Sequence, residues 1–420
     1  MATTGAEAPV AKIVVLGGCG GVGSIAVRAL TATDDYDEIV VADQRADDAG
    51  AFAGELAGEM ERPGLRGVAV DAASRESVAE VIRGADAVLN CIGPFYRFGP
   101  PLLEAAIEAG VDYVDVCDDL DATVRQLDLD AHAREAGVTA LIGMGNSPGL
   151  ANVFARLCAD DLLDEVESVD IMHIHGGEPD EGAGVLKHRI HAMTNDVPLF
   201  VDGEMVQVRM LEESGQRFVQ ETEFRDVGTY PAYPYPHPET ITLPRNMAGL
   251  RRATNLGAVF PLNYFSLTMD LVRAGLGADE PLVVDGQKVA PIDVAVAHLR
   301  AQRPRLLAEA GITGPAGCLR VVVGGRKGGE PHTYVCSLSS TSEGAGEGTG
   351  IPAALGAILL HRGRVAGPGV RPPEAAVVPA EMLALASVVV KEFPSLGGRM
   401  PFHLEHLGPD GAREEIPFAV

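Results

Sequence analysis

Hydrophobic and polar positions change period along this chain. Lys12 to Leu16, Glu38 to Ala42 and Arg66 to Val70 are short apolar runs, and Asp86 to Cys91, Val111 to Val116 and Val138 to Ile142 continue the series. Apolar runs with little alternation suit strands buried on both faces. Between them lie stretches with helical spacing: Ser24 to Leu30, Asp47 to Glu61, one capped by Ser74, Pro100 to Ala109, and Asp121 to Ala136. Strand and helix in alternation predict an α/β unit, a doubly wound parallel sheet over residues 1–145.

The pattern changes near Gly143. Asn146-Ser147-Pro148-Gly149 predicts a helix start running to Cys158, with Ser147 as cap and Pro148 at the first helical position. Val166 to His175 and residues 204–210 alternate like half-buried strands. Leu282 to Gly286 and Leu319 to Ser337 read as hairpins, the second with a Gly-Gly-Arg-Lys-Gly-Gly turn. Helical pieces fall at 186–192 and 291–309. Residues 146–339 are therefore expected to form an inserted, largely antiparallel α+β domain. Tyr230 to Pro238, YPAYPYPHP, lacks alternate donors, and reads as an extended loop, either a lid or a plain surface crossover. SLSSTSEGAGEGTG, from Ser337, reads as a small-residue loop. Ile351 to Leu360 is apolar nearly all round, which predicts a buried helix returning to cover the first sheet. Residues 340–395 then complete the first domain, and 396–420 form a C-terminal segment. The first residues, MATTGAEAPVAK, read as a short disordered lead-in.

The turn after the first strand changes the picture from fold to chemistry. Gly18-x-Gly20-x-x-Gly23 sits between strand and helix, with Gly21 and Val22 completing it. Gly18 permits the tight turn, Gly20 lets backbone approach a pyrophosphate, and Gly23 lets helix pack on strand, as in the Rossmann dinucleotide fingerprint. Asp43 ends the second strand twenty positions after Gly23, where an acid holds a ribose and favours NAD. Beyond Gln44, Arg45 keeps NADP open, because it can pair with a 2′-phosphate. Asp71 is either an adenine-side contact or a helix cap. The loop Asn90-Cys91-Ile92-Gly93-Pro94-Phe95-Tyr96 follows the fourth strand and should lie beside the nicotinamide ribose and ring. Gly93 and Pro94 shape it. Phe95 and Tyr96 either wall the reaction site or pack between domains.

Composition narrows the partners. The 420 residues carry a formal charge of −26, which opposes nucleic acid and anionic membranes. No apolar run approaches a membrane span. Six scattered cysteines without a C-x-x-C read as reduced thiols of a soluble, cytoplasmic protein.

The GGCGGVG turn, NCIGPF at Asn90 to Phe95, EAGVDYVDVCDD at Glu108 to Asp119 and GNSPGLANVFA at Gly145 to Ala155 together resemble the saccharopine dehydrogenase-like family of NAD(P)-dependent oxidoreductases. TGIPAALGAILLHRG at Thr349 to Gly363, with the segment up to Glu374, matches that family's returning segment. The resemblance implies a split dinucleotide domain and an inserted domain that binds substrate and dimerises. It implies chemistry at a carbon–nitrogen bond of a small amine or amino-acid substrate, through an imine. The middle of the chain departs from the lysine-pathway members. Relatives that reduce lipid double bonds offer a second reading, and a non-catalytic dinucleotide sensor a third.

Hydride transfer to an imine needs a cationic iminium, and a nearby carboxylate stabilises it and holds its proton. Asp115, Asp118 and Asp119 follow the fifth strand. Asp118 is the chosen catalytic acid, against a solvated acidic loop. Tyr96 joins it as a candidate. His188 and His191, three apart on one helical face, offer an acid/base or a substrate contact. Arg245, with Arg251 and Arg252, offers a clamp for a substrate carboxylate or simply solvated charge. His173 and His175 share a strand face but lack a third ligand of suitable spacing, so no metal is expected.

Overall fold

Why the first half folds as it does is visible in its strands. In the computed structural model, which describes residues 10–340, 345–397 and 401–417, Ile13 to Leu16 are wholly buried. They lie in β1 (Lys12–Leu16), flanked in parallel by β2 (Glu38–Asp43) and β4 (Ala87–Asn90). β3 (Leu65–Ala69) extends the sheet beyond β2, and β5 (Asp112–Asp115) and β6 (Thr139–Leu141) extend it beyond β4. A seventh parallel strand, Gly369–Arg371, pairs with β6. The order reverses between β1 and β4, and a crevice opens there at the carboxyl ends of the strands.

Some boundaries differ from those expected. The helix after β4 spans Phe95–Ala109 and starts before its two prolines, not at them. Pro100 cannot donate to the Tyr96 carbonyl, and the Arg125 guanidinium donates to that oxygen instead. The stretch after β5 breaks into two helices, Leu120–Leu127 and Asp130–Ala136. The helix expected from Ser147 begins at Leu150, capped by Gly149 at φ 126°, whose N–H donates to the Asn152 side chain at 2.9 Å.

The second sheet has ten strands and is mixed. Its central strand, β7 (Glu165–Gly176), pairs in parallel with Arg252–Phe260 and antiparallel with Ala316–Lys327. Ala316–Lys327 and Glu330–Ser340 form the long hairpin foreseen. Phe402–Leu407 and Arg413–Ile416 add to it, so the last stretch is part of this sheet. The proline-rich stretch is neither lid nor loop in its first half. Gly228–Pro234 is a strand, with residues 228–232 paired to 220–224 and residues 233–234 to 256–257. None of these residues pairs on both sides, so each proline forfeits at most one ladder bond. Helices Ala183–Thr194, Leu262–Arg273 and Pro291–Glu309 pack together through Leu186, Ile190, Phe265 and Leu299.

The returning helix spans Ala345–His361, six residues longer at its start than expected. Its buried residues Ile351, Ala354 and Ile358 join one core with Ile13 and Val15 of the first sheet and Ile171 and Val321 of the second. The Tyr36 hydroxyl donates to its Ala357 carbonyl at 2.8 Å. Residues 1–9 and 341–344, which carry most of the expected lead-in and part of the small-residue loop, lie outside the described residues. Among the described residues no helix is long and apolar enough to cross a membrane, and all six cysteines are free.

Candidate active site

A cavity of about 440 Å³ opens between the two sheets. Val22 of the glycine turn and Cys91, Gly93, Pro94 and Phe95 after β4 line it on one side. His173 and His175 of β7, with Tyr235 and His237, line the opposite side. Asp118, Asp119, His188 and Arg189 close a third side, and Glu347 to Thr349 of the returning helix a fourth.

The glycine turn fits a dinucleotide. A Cβ on Gly23 would overlap the Gly17 carbonyl oxygen, and one on Gly18 would stand 2.8 Å from Val41 Cγ1. Nothing stands within 4 Å of the place where a Cβ on Gly21 would sit, so the cradle is open. The helix starting at Gly23 presents its first-turn amides and positive dipole end there. Asp43 accepts from the Cys19 amide at 3.2 Å and from the Gln44 amide at 2.8 Å, and is thereby fixed beside the turn. Arg45 is exposed and ion-paired with Asp48. Asp71 accepts from the Ala73 amide at 2.9 Å and shapes the turn before the next helix. Asn90 is fully buried, donating to the Tyr113 hydroxyl and accepting from the Ile92 amide, both at 2.9 Å. It braces the loop and does not line the cavity.

His188 joins the two domains' chemistry. Its Nδ1 lies 2.7 Å from Asp119 Oδ1, and its Nε2 3.4 Å from Asp118 Oδ2. Asp119 Oδ2 also accepts from the Tyr96 amide at 2.9 Å. Burial opposes charge on the imidazole, but the Asp118 and Asp119 carboxylates overcome it and raise its pKa to about 9. The same burial acts on both acids with opposite outcomes. Asp119, bonded to His188, falls below the usual carboxylate range, whereas burial prevails at Asp118 and pushes it up.

Two further polar groups meet the cavity. His237 Nδ1 lies 3.5 Å from Ser147 Oγ and 3.6 Å from Glu239 Oε2, and the Ser147 hydroxyl donates to the buried Glu239. Asn255 donates to Ser147 Oγ at 3.2 Å. His173 stacks on His237 at 4.9 Å, and Tyr235 stands edge-on to both. Burial, then His237, holds His173 well below the usual imidazole range. Elsewhere Arg189 grips buried Glu181 bidentately, Arg303 donates to the same carboxylate at 3.0 Å, and the Tyr264 hydroxyl donates at 2.9 Å. Burial would raise Glu181, but Arg189 and Arg303 bring it down to about 2. His175 Nε2 lies 3.2 Å from Arg189, and burial plus that cation lower its pKa to about 4.

The expected residues thus separate. Asp118, His188 and Phe95 meet at the cavity. Tyr96 and His191 stack on each other at 4.2 Å and do not line it; His191 shares a helical face with His188 but lies most of a turn further along, where its Nε2 stands 3.7 Å from Asp121 Oδ2. Arg245 is exposed at the end of helix Glu239–Asn246, also away from the cavity. His173 and His175 do not pair with one another: one meets His237 and the other Arg189. Ser147 is no helix cap; it faces the cavity. Tyr235, His237, Glu239 and Arg189 were not singled out from sequence. A lone imidazole among prolines and aromatics, His237, was the one local cue.

Residues 13–141 match the saccharopine dehydrogenase NADP binding domain. Over 380 residues the chain is 27% identical to carboxyaminopropylagmatine dehydrogenase of Synechocystis sp., spanning 84% of this chain and 90% of that protein. It is 28% identical over 344 residues to carboxynorspermidine synthase of Vibrio alginolyticus, spanning 73% and 77%. In fold it resembles apo saccharopine dehydrogenase (L-Glu forming) of Saccharomyces cerevisiae, with a TM-score of 0.65 at 16% identity over 95% of this chain and all of that one.

Proposed function

We propose that this chain, similar to the saccharopine dehydrogenase-like family over its dinucleotide domain and to two amine-acting relatives over most of its length, is an NAD(P)-dependent oxidoreductase that makes or breaks a secondary amine through an imine. The names of its two relatives point to a carboxylated aminopropyl amine as the substrate class. One observation carries the mechanism: a single imidazole, His188, sits between two carboxyls whose affinities for a proton are driven apart. Such a split assigns acid and base roles. Asp119 is the fixed anion that holds the imidazolium. Asp118, open to the cavity, is the carboxyl that exchanges a proton with the substrate nitrogen.

A dinucleotide held by the glycine turn and Asp43 would supply or take up the hydride. This chain's residues supply the rest. The anionic form of Asp118 stabilises a cationic iminium, a pair of opposite charges about 4 Å apart gaining ~4 kcal/mol at an effective dielectric constant near 20. Its protonated form returns a proton to the amine nitrogen, with His188 as the next proton store. Phe95 and Tyr235 exclude water from the carbon that reacts. Asp43 supports NAD over NADP, since its charge repels a 2′-phosphate and Arg45 is engaged by Asp48.

The test is reduced-nicotinamide absorbance with aldehyde or keto acids plus diamines. Signal with a pair that yields a carboxylated secondary amine supports the reading. Absence of dinucleotide binding at micromolar levels ends it. Reduction of a carbon–carbon double bond fits less well, because an alkyl chain would leave these buried polar groups unpaired. Isotope transfer from labelled cofactor to product excludes a sensor without turnover. A homodimer is part of the proposal, checked by light scattering against the 43.9 kDa of one chain.

A further inference from the structure

Asp118, His188 and His237 come from three separate elements and were not adjacent in any sequence pattern. One ligand atom from each lies within 4.8 Å of the other two. The Asp118–His188 pair, at 3.4 Å, already has the separation that two donors adopt around a tetrahedral zinc ion with bonds of about 2 Å. His237 needs to close by about 1.5 Å or less on the same geometry.

The outer partners strengthen the case. Metal-binding imidazoles nearly always rest their other nitrogen on a carboxylate, carbonyl or water. His188 does so on Asp119 at 2.7 Å, and His237 has Glu239 at 3.6 Å with Ser147 at 3.5 Å. Each uses Nδ1 for that contact, which leaves Nε2 as the ligand nitrogen. Glu239 is wholly buried, and its Oε2 has no hydrogen-bond partner within bonding distance among the described residues. That carboxylate is built to receive an N–H, and a small movement of His237 would bring one. Three protein ligands facing a cavity leave a fourth position open, as zinc sites with an exchangeable ligand do.

We propose that Asp118, His188 and His237 form a binding site for a divalent cation of the zinc class, with Asp119 and Glu239 orienting the two imidazoles. The site is the same one that would receive a cationic amine, so metal and amine exclude each other. That exclusion rests on the amine reading; metal binding itself does not.

The experiment uses the full untagged chain, without amine or dinucleotide. It is stripped with chelator, loaded with Zn²⁺, dialysed and measured by mass spectrometry and calorimetry; Co²⁺ loading reports geometry through its visible absorption. The expected result is one equivalent retained, with a tetrahedral Co²⁺ spectrum. Asp118→Asn and His237→Gln should each remove it, and Glu239→Gln should weaken it about 10–100-fold without removing a ligand. Circular dichroism melts identify any variant that fails to fold, and Asp118→Asn, at a half-buried position, then decides alone. His406→Ala is the control, because His332, His406 and Glu414 form a second, part-buried imidazole cluster that does not line the cavity. No retained zinc, zinc indifferent to Asp118→Asn and His237→Gln, or zinc lost in His406→Ala each overturns the proposal. With zinc bound, a diamine should compete in the calorimeter. Metal bound without competition leaves the site standing and removes the amine reading.

Discussion

At the scale of single residues, the chemistry depends on Asp118 and Asp119 being unlike although adjacent. Asp119 is tied to the His188 ring and the Tyr96 amide, so its charge is paid for. Asp118 has one longer contact and an open side. Asp118→Asn should therefore lower kcat about 10²-fold or more, the usual worth of a positioned acid or base, while dinucleotide affinity measured by fluorescence stays unchanged. Asp119→Asn should act differently: it removes the partner of His188 Nδ1, so the pH profile of kcat/KM shifts towards lower pH on its alkaline side. Asp43→Asn tests the other end of the crevice. It should weaken NAD binding and move the NAD-to-NADP affinity ratio towards NADP, as read in paired titrations; an unchanged ratio would remove Asp43 from cofactor choice.

At the scale of elements, the Arg189–Glu181–Arg303 group ties helix Ala183–Thr194 to helix Pro291–Glu309 behind the cavity. Glu181→Gln leaves two guanidinium groups with less compensation and should cost about 3–5 kcal/mol, as breaking buried ion pairs does, read as a lower denaturation midpoint. The pH dependence has a definite sign. Glu181 is depressed to about 2 and His175 to about 4. Both are below their unfolded values, so each contributes stability at neutral pH that is lost on acidification. The His175 share goes between about pH 6.5 and 4, and the Glu181 share between about 4.5 and 2. Urea midpoints should fall across both windows in the wild type, and the lower window should flatten in Glu181→Gln. These elements also show what a sequence can tell. β1, its glycine turn and Asp43 form one local pattern, and apolar runs with the glycine spacing between them locate it. The acid loop after β5 and the histidines of the 183–194 helix were each visible, but their meeting was not. Seventy residues separate Asp118 from His188, and nothing in either stretch encodes that the second sheet brings them together. His237 was hidden for another reason. Its prolines argued for a loop, and His237 does lie in the irregular chain after the strand Gly228–Pro234; what no local pattern encodes is that this chain enters the cavity.

At the scale of the whole molecule, −26 charges act on the fold and on the substrate in opposite senses. Self-repulsion destabilises the compact chain, and the same negative field draws a cationic amine towards the cavity. Raising ionic strength from about 0.01 M to 0.15 M shortens the screening length from about 30 Å to about 8 Å. Distant surface repulsion is then screened, so the melting temperature should rise. Steering is screened as well, so kcat/KM for a diamine should fall while kcat, set by the close-range Asp118–His188 pair inside the cavity, changes little. The two responses are measured on one sample, by calorimetry and initial rates, and their opposition is the informative result. An anionic substrate would reverse the second response and leave the first intact. A rise of kcat/KM with salt would therefore exclude a polyamine-like substrate without touching the fold, the dinucleotide site or the metal proposal.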